Sequence, residues 1–228
     1  MKCVPAIVVL LTIAHTGFRE LYAEQKLNSG ALPVVFEDDF ENGTSHWQPT
    51  DEKKWTIFKE ENGNHAYHLL GKSDYQPPHR SPHSISLIKN VKVTDFVFTA
   101  RVQTLQTSRA HRDMCIFFGY QDPAHFYYVH FGEKTDPHAN QIFIVNDAPR
   151  IKISEMTNAG TPWKDKTWHD IKIVRNVKDG LIEIYFDDME NPHMVAHDSN
   201  FTWGQVGVGS FDDLGLVDDV ALHGNVAD

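Results

Sequence analysis

Short strand signals follow one another along most of the chain, while helical periodicity is nearly absent. Runs of β-branched and aromatic residues such as 96–103, Gln141–Asn146 and Leu181–Phe186 are bounded by Gly, Pro, Asn and Asp, as strands between turns are. In the run 96–103 apolar and polar side chains alternate, so one face is expected in a core and the other in water. Many short strands without helices pack as two layers. The sequence therefore predicts an all-β, two-sheet antiparallel β-sandwich of the jelly-roll type.

The first residues are typical of an export signal. Lys2 precedes the apolar run 4–14, which is shorter than the ~20 residues of a membrane-spanning helix. A charged start, a short apolar stretch and the small residue Ala23 match a secretory signal peptide that ends near that alanine. We therefore expect a signal peptide at 1–23 and a secreted or periplasmic protein.

The remainder is expected to form a lead-in at 24–33 and a single jelly-roll domain at 34–228. The chain carries a formal charge of −10 and contains no block of Lys and Arg. Nucleic acids and anionic membrane surfaces both require clustered positive charge, so we predict no nucleic-acid partner and no membrane insertion. Once Cys3 is removed with the signal, Cys115 has no cysteine to pair with, and its apolar neighbours indicate a buried small hydrophobe.

Three stretches taken together resemble the concanavalin A-like lectin/glucanase superfamily in its laminin-G-like form. The first is 36–40 followed by Trp47, the second is the hairpin sequence 168–188, and the third is 204–220. The resemblance spans roughly residues 34–224. It implies a sandwich whose first and last strands pair, and a concave sheet of a kind that often binds glycans.

Two weaker resemblances concern carbohydrate-active jelly rolls. One is to 3-keto-disaccharide hydrolase-like domains, which share the sandwich and a signal peptide. The other is to alginate-lyase-like jelly rolls, through the tripeptide Gln141-Ile142-Phe143, where those proteins carry a histidine in place of Phe143.

Acidic residues on the predicted first and last strands indicate a cation. Asp38 shares the inward parity of the phenylalanines two residues to either side, and Asp218 shares that of Val220 and Leu222. Core-facing carboxylates need compensation, and Ca²⁺ accepts irregular sets of oxygen ligands. We therefore predict a structural Ca²⁺ bound by Asp38 and Asp218, which the resemblance also implies. The alternative is that both acids lie at strand ends and accept hydrogen bonds from water or backbone N–H groups.

A second set of polar and aromatic residues falls on or beside the middle strands and is expected to converge on one sheet face. Arg binds carboxylate or sulfate through a planar fork, Tyr rings stack on sugars, His titrates near neutral pH and Gln both donates and accepts hydrogen bonds. We predict catalytic roles for Tyr128, His130, Arg112 and Gln141, and substrate-binding roles for Arg80, His83, Asp113, His138 and Arg150. The alternative is a set of ordinary structural residues, with Arg112 and Asp113 as an ion pair and Tyr128 in the core.

The residue types favour carbohydrate chemistry without naming a reaction. The E-x-D-x-x-E pattern of retaining glycosidases and the G-x-S-x-G nucleophile motif are both missing from the sequence. Jelly-roll polysaccharide lyases use a Tyr or His base together with groups that neutralise a uronate. We expect an extracytoplasmic protein that recognises a polysaccharide or oligosaccharide on its concave sheet. A polysaccharide lyase, a glycoside hydrolase and a non-catalytic envelope module remain the alternatives.

Overall fold

The computed structural model describes residues 32–227, so the predicted signal peptide and most of the 24–33 lead-in lie outside the described residues. Sixteen strands and a 3₁₀ turn at Glu52–Lys54 make up the regular structure of this part. None of its helices is long and apolar enough to cross a membrane. The predicted all-β architecture is confirmed.

The strands form two antiparallel sheets. Sheet A has nine strands: β1 (Val34–Asp38), β3 (Trp55–Lys59), β4 (His65–Leu69), β6 (Val93–Thr104), β11 (Met156–Thr157), β12 (His169–Asn176), β13 (Leu181–Phe186), β14 (Met194–His197) and β16 (Gly215–Val226). Sheet B has seven: β2 (Trp47–Pro49), β5 (Ser84–Ile88), β7 (Cys115–Asp122), β8 (His125–His130), β9 (Gln141–Asn146), β10 (Ile151–Lys152) and β15 (Gln205–Ser210).

The order of strands places the two ends of the domain side by side. Sheet A runs β11-β14-β13-β12-β6-β16-β4-β3, with β1 also paired to β16, and sheet B runs β10-β9-β8-β7-β15-β5-β2. The pairing of the first strand with the last is the arrangement that the resemblance implies. The short strands β2 and β11 carry little sequence signal and were not predicted, because three or two residues are too few to show a period.

The sandwich core is built from the inward residues of both sheets. Phe98 and Ile173 of sheet A and Phe118 and Val208 of sheet B are all buried in one cluster. Because successive side chains of a strand point to opposite faces, the polar residues between the sheet A positions face outward. The alternation read in the sequence therefore corresponds to the observed inner and outer faces of β6 and β12.

Sheet B carries a second apolar layer on the face opposite the sandwich core. Its members are all buried: Ile85, Leu87, Cys115, Phe117, Tyr120, Phe126, Tyr128, Phe143 and Val145. The segment 71–83 lies over this face, since Tyr75 packs on the layer and the Arg80 carbonyl accepts a hydrogen bond from the Arg150 N–H at 3.2 Å. This explains why β7, β8 and β9 are apolar on both faces.

Glycines on β15 allow the second layer to close tightly. Gly209 pairs with Ile85 on one side and Cys115 on the other. A Cβ atom at Gly209 would lie 1.9 Å from the Ser84 carbonyl oxygen, so no larger residue fits without moving the backbone. Because the outward positions of β15 are glycines, the outward side chains of its neighbours β5 and β7 can pack against each other over this strand.

A β-bulge in β16 overturns the parity predicted for Asp218. The pairing of β16 with β6 shifts register between Asp218 and Ala221, and Asp219 has a φ of 47°. In the strand register Asp218 consequently lies opposite Arg101, so its side chain is on the outward face of sheet A. Asp38 lies opposite the core residue Val220. The prediction that both acids share an inward parity is wrong, because an extra residue reverses the side-chain alternation.

We expect Phe98→Ala to lower the free energy of unfolding by about 3–5 kcal/mol, because it leaves a cavity where a fully buried ring packs. Phe58→Ala removes the same side chain from a position that is 41% exposed and is expected to change stability by less than about 1 kcal/mol. Urea unfolding of both variants provides the measurement. Equal losses would contradict the described core.

Candidate functional site

The strand register places the predicted polar residues in rows on the outer face of sheet B. Gln141 pairs with His130, and His130 pairs with Cys115. In the next row, Tyr128 lies between Phe143 and Phe117. Residues two apart on a strand share a face, so a polar row and an aromatic row lie next to each other at one end of this sheet.

Asp113 lies two residues before Cys115, on the same face as the polar row. Its side chain has no exposed surface. One carboxylate oxygen accepts a hydrogen bond from the Ser210 hydroxyl at 2.8 Å, and the other accepts from the Phe211 N–H at 3.2 Å and the Cys115 thiol at 3.2 Å. These bonds offset the cost of burying the carboxylate.

His130 lies against this carboxylate as a neutral ring. Its Nε2 is 3.3 Å from Asp113 Oδ2, and its Nδ1 accepts a hydrogen bond from the Asn140 N–H at 3.4 Å. With Nδ1 as the acceptor, the ring proton resides on Nε2, next to the carboxylate. Burial lowers the pKa of His130, and the charge of Asp113 acts against that shift.

Cys115 belongs to the network without being reactive. Burial, and then the charge of Asp113, raises the pKa of this thiol well above its usual value. The thiolate is the nucleophilic form, so the structure agrees with the interpretation of Cys115 as a buried small hydrophobe. Ligand atoms of Asp113, Cys115 and His130 lie within 4.8 Å of one another, and the hydrogen bonds to Asp113 account for this proximity.

Arg150 crosses the aromatic row from the loop after β9. Its Nη1 donates to Tyr128 Oη at 2.7 Å, and its Nη2 donates to the His138 carbonyl at 3.0 Å. The guanidinium lies over the rings of Phe143 and Phe211, with its central carbon 4.5 and 4.4 Å from their centroids. Burial raises the pKa of Tyr128 well above its usual value, and the charge of Arg150 opposes the rise.

Gln141 lies at the β9 end of the polar row, and the oxygen of its side-chain amide lacks a hydrogen-bond partner among the described residues. Its Nε2 donates to the Asp136 carbonyl at 3.0 Å. Its Oε1 is buried and has no hydrogen-bond partner among the described residues. Such an atom is uncommon in folded proteins, and it lies beside His130 at the predicted site.

The residues that hold this end of the sheet form a second buried network around Asn140. The Asn140 side chain accepts from Thr161 Oγ1 at 2.8 Å and contacts His193 Nε2 at 3.1 Å. Its amide donates to Thr135 Oγ1 at 2.6 Å. The network fixes the turn before β9, whose Asp136 carbonyl binds Gln141.

The structure does not bring every predicted residue to this face. The buried Arg112 guanidinium points away, toward Asp165 at 2.7 Å and Glu133 at 3.8 Å. The side chains of His138 and Arg80 are exposed, and both residues contact Arg150 through their backbone carbonyls. His83 is half-buried, with its ring 5.7 Å from that of Phe211.

Phe211 is the site residue that sequence reasoning missed. Its ring contacts Arg150 and lies 6.1 Å from His130 and 5.7 Å from His83, and it is partly exposed. The signal was present in the parity of β15, since Gly207, Gly209 and Phe211 alternate with the core residues Val206 and Val208.

A separate acidic cleft of about 390 Å³ lies where β1 and β16 meet. It is lined mainly by Glu37, Asp38, Asp39, Asn42, Gly43, His46 and Asp219. Asp38 accepts hydrogen bonds from the Phe40 N–H and Trp47 Nε1, both at 2.9 Å. Asp218 instead accepts from Asn64 Nδ2 at 2.8 Å on the other face of sheet A, so the two predicted ligands are not brought together.

Searches against known proteins place the fold. Neither a protein-family model nor a curated protein matches the chain. Among solved structures, the carbohydrate-binding module CBM66 from Bacillus subtilis matches with a TM-score of 0.55 and 17% identity, covering 79% of this chain and 96% of the module. A Bacillus subtilis protein of unknown function with a galectin-like fold has a TM-score of 0.53 at 10% identity, covering 86% and 98%.

A plant lectin shows the same architecture. Winged bean acidic lectin, complexed with methyl-alpha-D-galactose, has a TM-score of 0.53 at 11% identity and covers 85% of this chain and 98% of its own. The predicted likeness in fold to concanavalin A-like sandwiches is confirmed. At these identities the matches show the fold alone.

The buried imidazole of His193 predicts acid sensitivity of the network at this site. Burial lowers its pKa from 6.5 to about 4, so below pH ~6.5 the unfolded chain binds a proton that the folded protein refuses. Stability should therefore fall between about pH 6.5 and 4, by up to ~3 kcal/mol from this residue, and His130 adds in the same direction.

Denaturant unfolding at several pH values measures the effect. His193→Gln should flatten part of the decline, whereas His197→Gln, at an exposed position of the adjoining strand β14, should retain it. The assignment fails if both variants follow the wild-type pH profile.

Proposed function

We propose that the protein binds a polysaccharide or oligosaccharide, outside the cytoplasm, at the end of sheet B where Arg150 and Phe211 reach the surface. The observation that carries the proposal is the convergence on one sheet face of the side chains of Tyr128, His130, Gln141, Arg150 and Phe211. Solved structures of the same fold include a carbohydrate-binding module and a lectin with a galactoside, and the signal-like N-terminus supports an extracytoplasmic location.

The accessible part of this site has the chemistry that sugars require. Phe211 offers a partly exposed ring, and sugars bind to ring faces through their C–H groups. His83 is half-buried beside that ring and can exchange hydrogen bonds with hydroxyls. Behind them the buried polar row limits movement of these side chains, which reduces the entropy lost on binding.

A lyase is the second candidate, favoured by the contact between Arg150 and Tyr128. In a β-elimination the base takes the proton beside a uronate carboxylate, the bond to the leaving oxygen breaks and a C=C bond forms. An arginine that donates to the tyrosine oxygen stabilises the deprotonated base. Tyr128 would supply that base and pass the proton to the leaving oxygen, once a movement of Arg150 and Phe211 exposes its hydroxyl.

A panel of neutral and anionic polysaccharides tests both functions. Binding is measured by affinity electrophoresis, and unsaturated product by ultraviolet absorbance. Phe211→Ala should weaken binding about tenfold or more, as the loss of ~1.4 kcal/mol would. Phe58→Ala, the same change on sheet A, should leave affinity unaltered.

The proposal is refuted if no polysaccharide binds, or if Phe211→Ala binds as tightly as the wild type. Unsaturated ends establish the lyase, and binding without any product establishes a lectin-like protein.

We also propose that the acidic cleft binds Ca²⁺ as a structural ion. The cleft offers only oxygen and imidazole donors, and carboxylates predominate, which suits a hard cation. Asp38 is the predicted ligand that lines it. Asp218 is expected to stabilise the fold through its hydrogen bond with Asn64 and not to bind the ion.

Ca²⁺ should raise the melting temperature, and a chelator should lower it. Asp38→Asn should abolish the Ca²⁺-dependent shift, and Asp218→Asn should preserve it, although the latter variant has a lower melting temperature throughout. Differential scanning fluorimetry reports both. An unchanged melting temperature with Ca²⁺ and chelator would rule the ion out.

A further inference from the structure

Arg150 is held rigidly for a residue of a surface loop. Two rings lie against its guanidinium, with Phe143 at 4.5 Å and Phe211 at 4.4 Å. Two of its nitrogens bind fixed acceptors, Tyr128 Oη and the His138 carbonyl. Both acceptors are neutral, so these contacts orient the fork without compensating its charge.

The charge of Arg150 has no carboxylate partner among the described residues, unlike that of three other arginines. Arg101 pairs with Asp219, Arg109 with Asp213, and Arg112 with Asp165. Arg175 is also without a carboxylate partner, but its nitrogens bind the Gly180, Leu181 and Phe201 carbonyls. Among residues 32–227, Arg150 has no carboxylate within 4.0 Å. Asp113, the buried carboxylate of the same face, lies beyond that distance and already accepts bonds from Ser210, Phe211 and Cys115.

Unused hydrogen-bond donors accompany the unpaired charge. Nε of Arg150 is buried and has no acceptor among the described residues. A guanidinium has five N–H groups, and the two contacts of Arg150 use only two of them. An uncompensated cation at a half-buried position is unfavourable, and an anion bound to the free N–H groups of Nη1 and Nη2 would relieve it.

We propose that the glycan recognised at this site carries an anionic group, and that Arg150 binds it. The group is a carboxylate or sulfate, whose oxygens match the guanidinium fork. The half-buried His83, whose ring lies 5.7 Å from that of Phe211, offers a second hydrogen-bonding group at this surface. This inference rests on the proposed carbohydrate-binding function and names its substrate class.

A purely structural role for Arg150 makes a different prediction. Its bond to the His138 carbonyl would then serve only to hold the loop between β8 and β9, and removing the charge would affect acidic and neutral glycans equally. Selectivity between the two kinds of glycan therefore separates the roles, and stability alone does not.

The test uses matched polysaccharide pairs with the unmodified protein. Polygalacturonate is compared with its carboxyl-reduced form, and dextran sulfate with dextran. We expect at least tenfold tighter binding of the charged member in one pair. The first pair reports a carboxylate and the second a sulfate. Because the protein is unchanged, the measurement does not depend on whether any variant folds.

Variants then assign the selectivity to Arg150. Arg150→Gln should bind the preferred charged polymer ten- to a hundredfold more weakly and lose the preference over its neutral counterpart. Arg101→Gln makes the same charge change on the outward face of sheet A and should retain both. Near-ultraviolet circular dichroism checks that each variant is folded.

Two outcomes overturn the inference. If the neutral polysaccharide of each pair binds as tightly as the charged one, the proposed anionic group is refuted, while the proposal of glycan binding still stands. A charge preference that persists in Arg150→Gln would place the anion elsewhere. If no polymer binds in either pair or in the wider panel, the proposed function itself fails.

Discussion

A carboxylate with no exposed surface organises one end of sheet B. Asp113 can remain buried only because the Ser210 hydroxyl, the Phe211 backbone N–H and the Cys115 thiol all donate to it. These donors come from β7, from β15 and from the turn after it, so satisfying a single charge brings separate strands into a defined arrangement. His130 lies next to the same carboxylate, and its tautomer follows from that neighbourhood and from Asn140.

The second apolar layer distinguishes this sandwich from an open trough. Resemblance to lectin-like folds implies an accessible concave sheet, whereas here Tyr128, Phe143 and Phe117 are buried in a layer on which Tyr75 and Arg150 pack. The reachable chemistry is displaced to the rim, where Phe211, Arg150 and His83 meet solvent. The buried polar side chains support that rim, and only a movement of the rim would give a ligand access to Tyr128.

Much of the fold could be predicted from the sequence, because strand periodicity and turn residues are local. The limits of Gln141–Asn146 and Leu181–Phe186 agree with the predicted strands. The bulge at Asp219 could not be predicted, since it depends on how β16 pairs with β6 over its whole length.

The candidate site was predicted only in part, for a similar reason. Residue type and position on successive middle strands predicted that Tyr128, His130 and Gln141 share one face, and they do. Arg112 was assigned to it without the parity argument, and it precedes β7 at a position facing Asp165 instead. The covering of this face depends on long-range packing with no periodic signature, so the sequence could not decide between Tyr128 at an open site and the stated alternative of Tyr128 in the core, where the structure places it.

Apolar residues on both faces have a consequence for how β7, β8 and β9 find their partners during folding. In most sheets a slip of one residue exposes the hydrophobic set to water and is rejected for that reason. Here a slip would exchange one aromatic set for another, since Phe118 and Tyr127 face one core while Phe117 and Tyr128 face the other. Hydrophobicity alone therefore discriminates poorly between alignments, and the buried polar ends of these strands supply the discrimination. The buried polar side chains that support the proposed ligand-binding rim thus also select the native alignment from its nearest competitor.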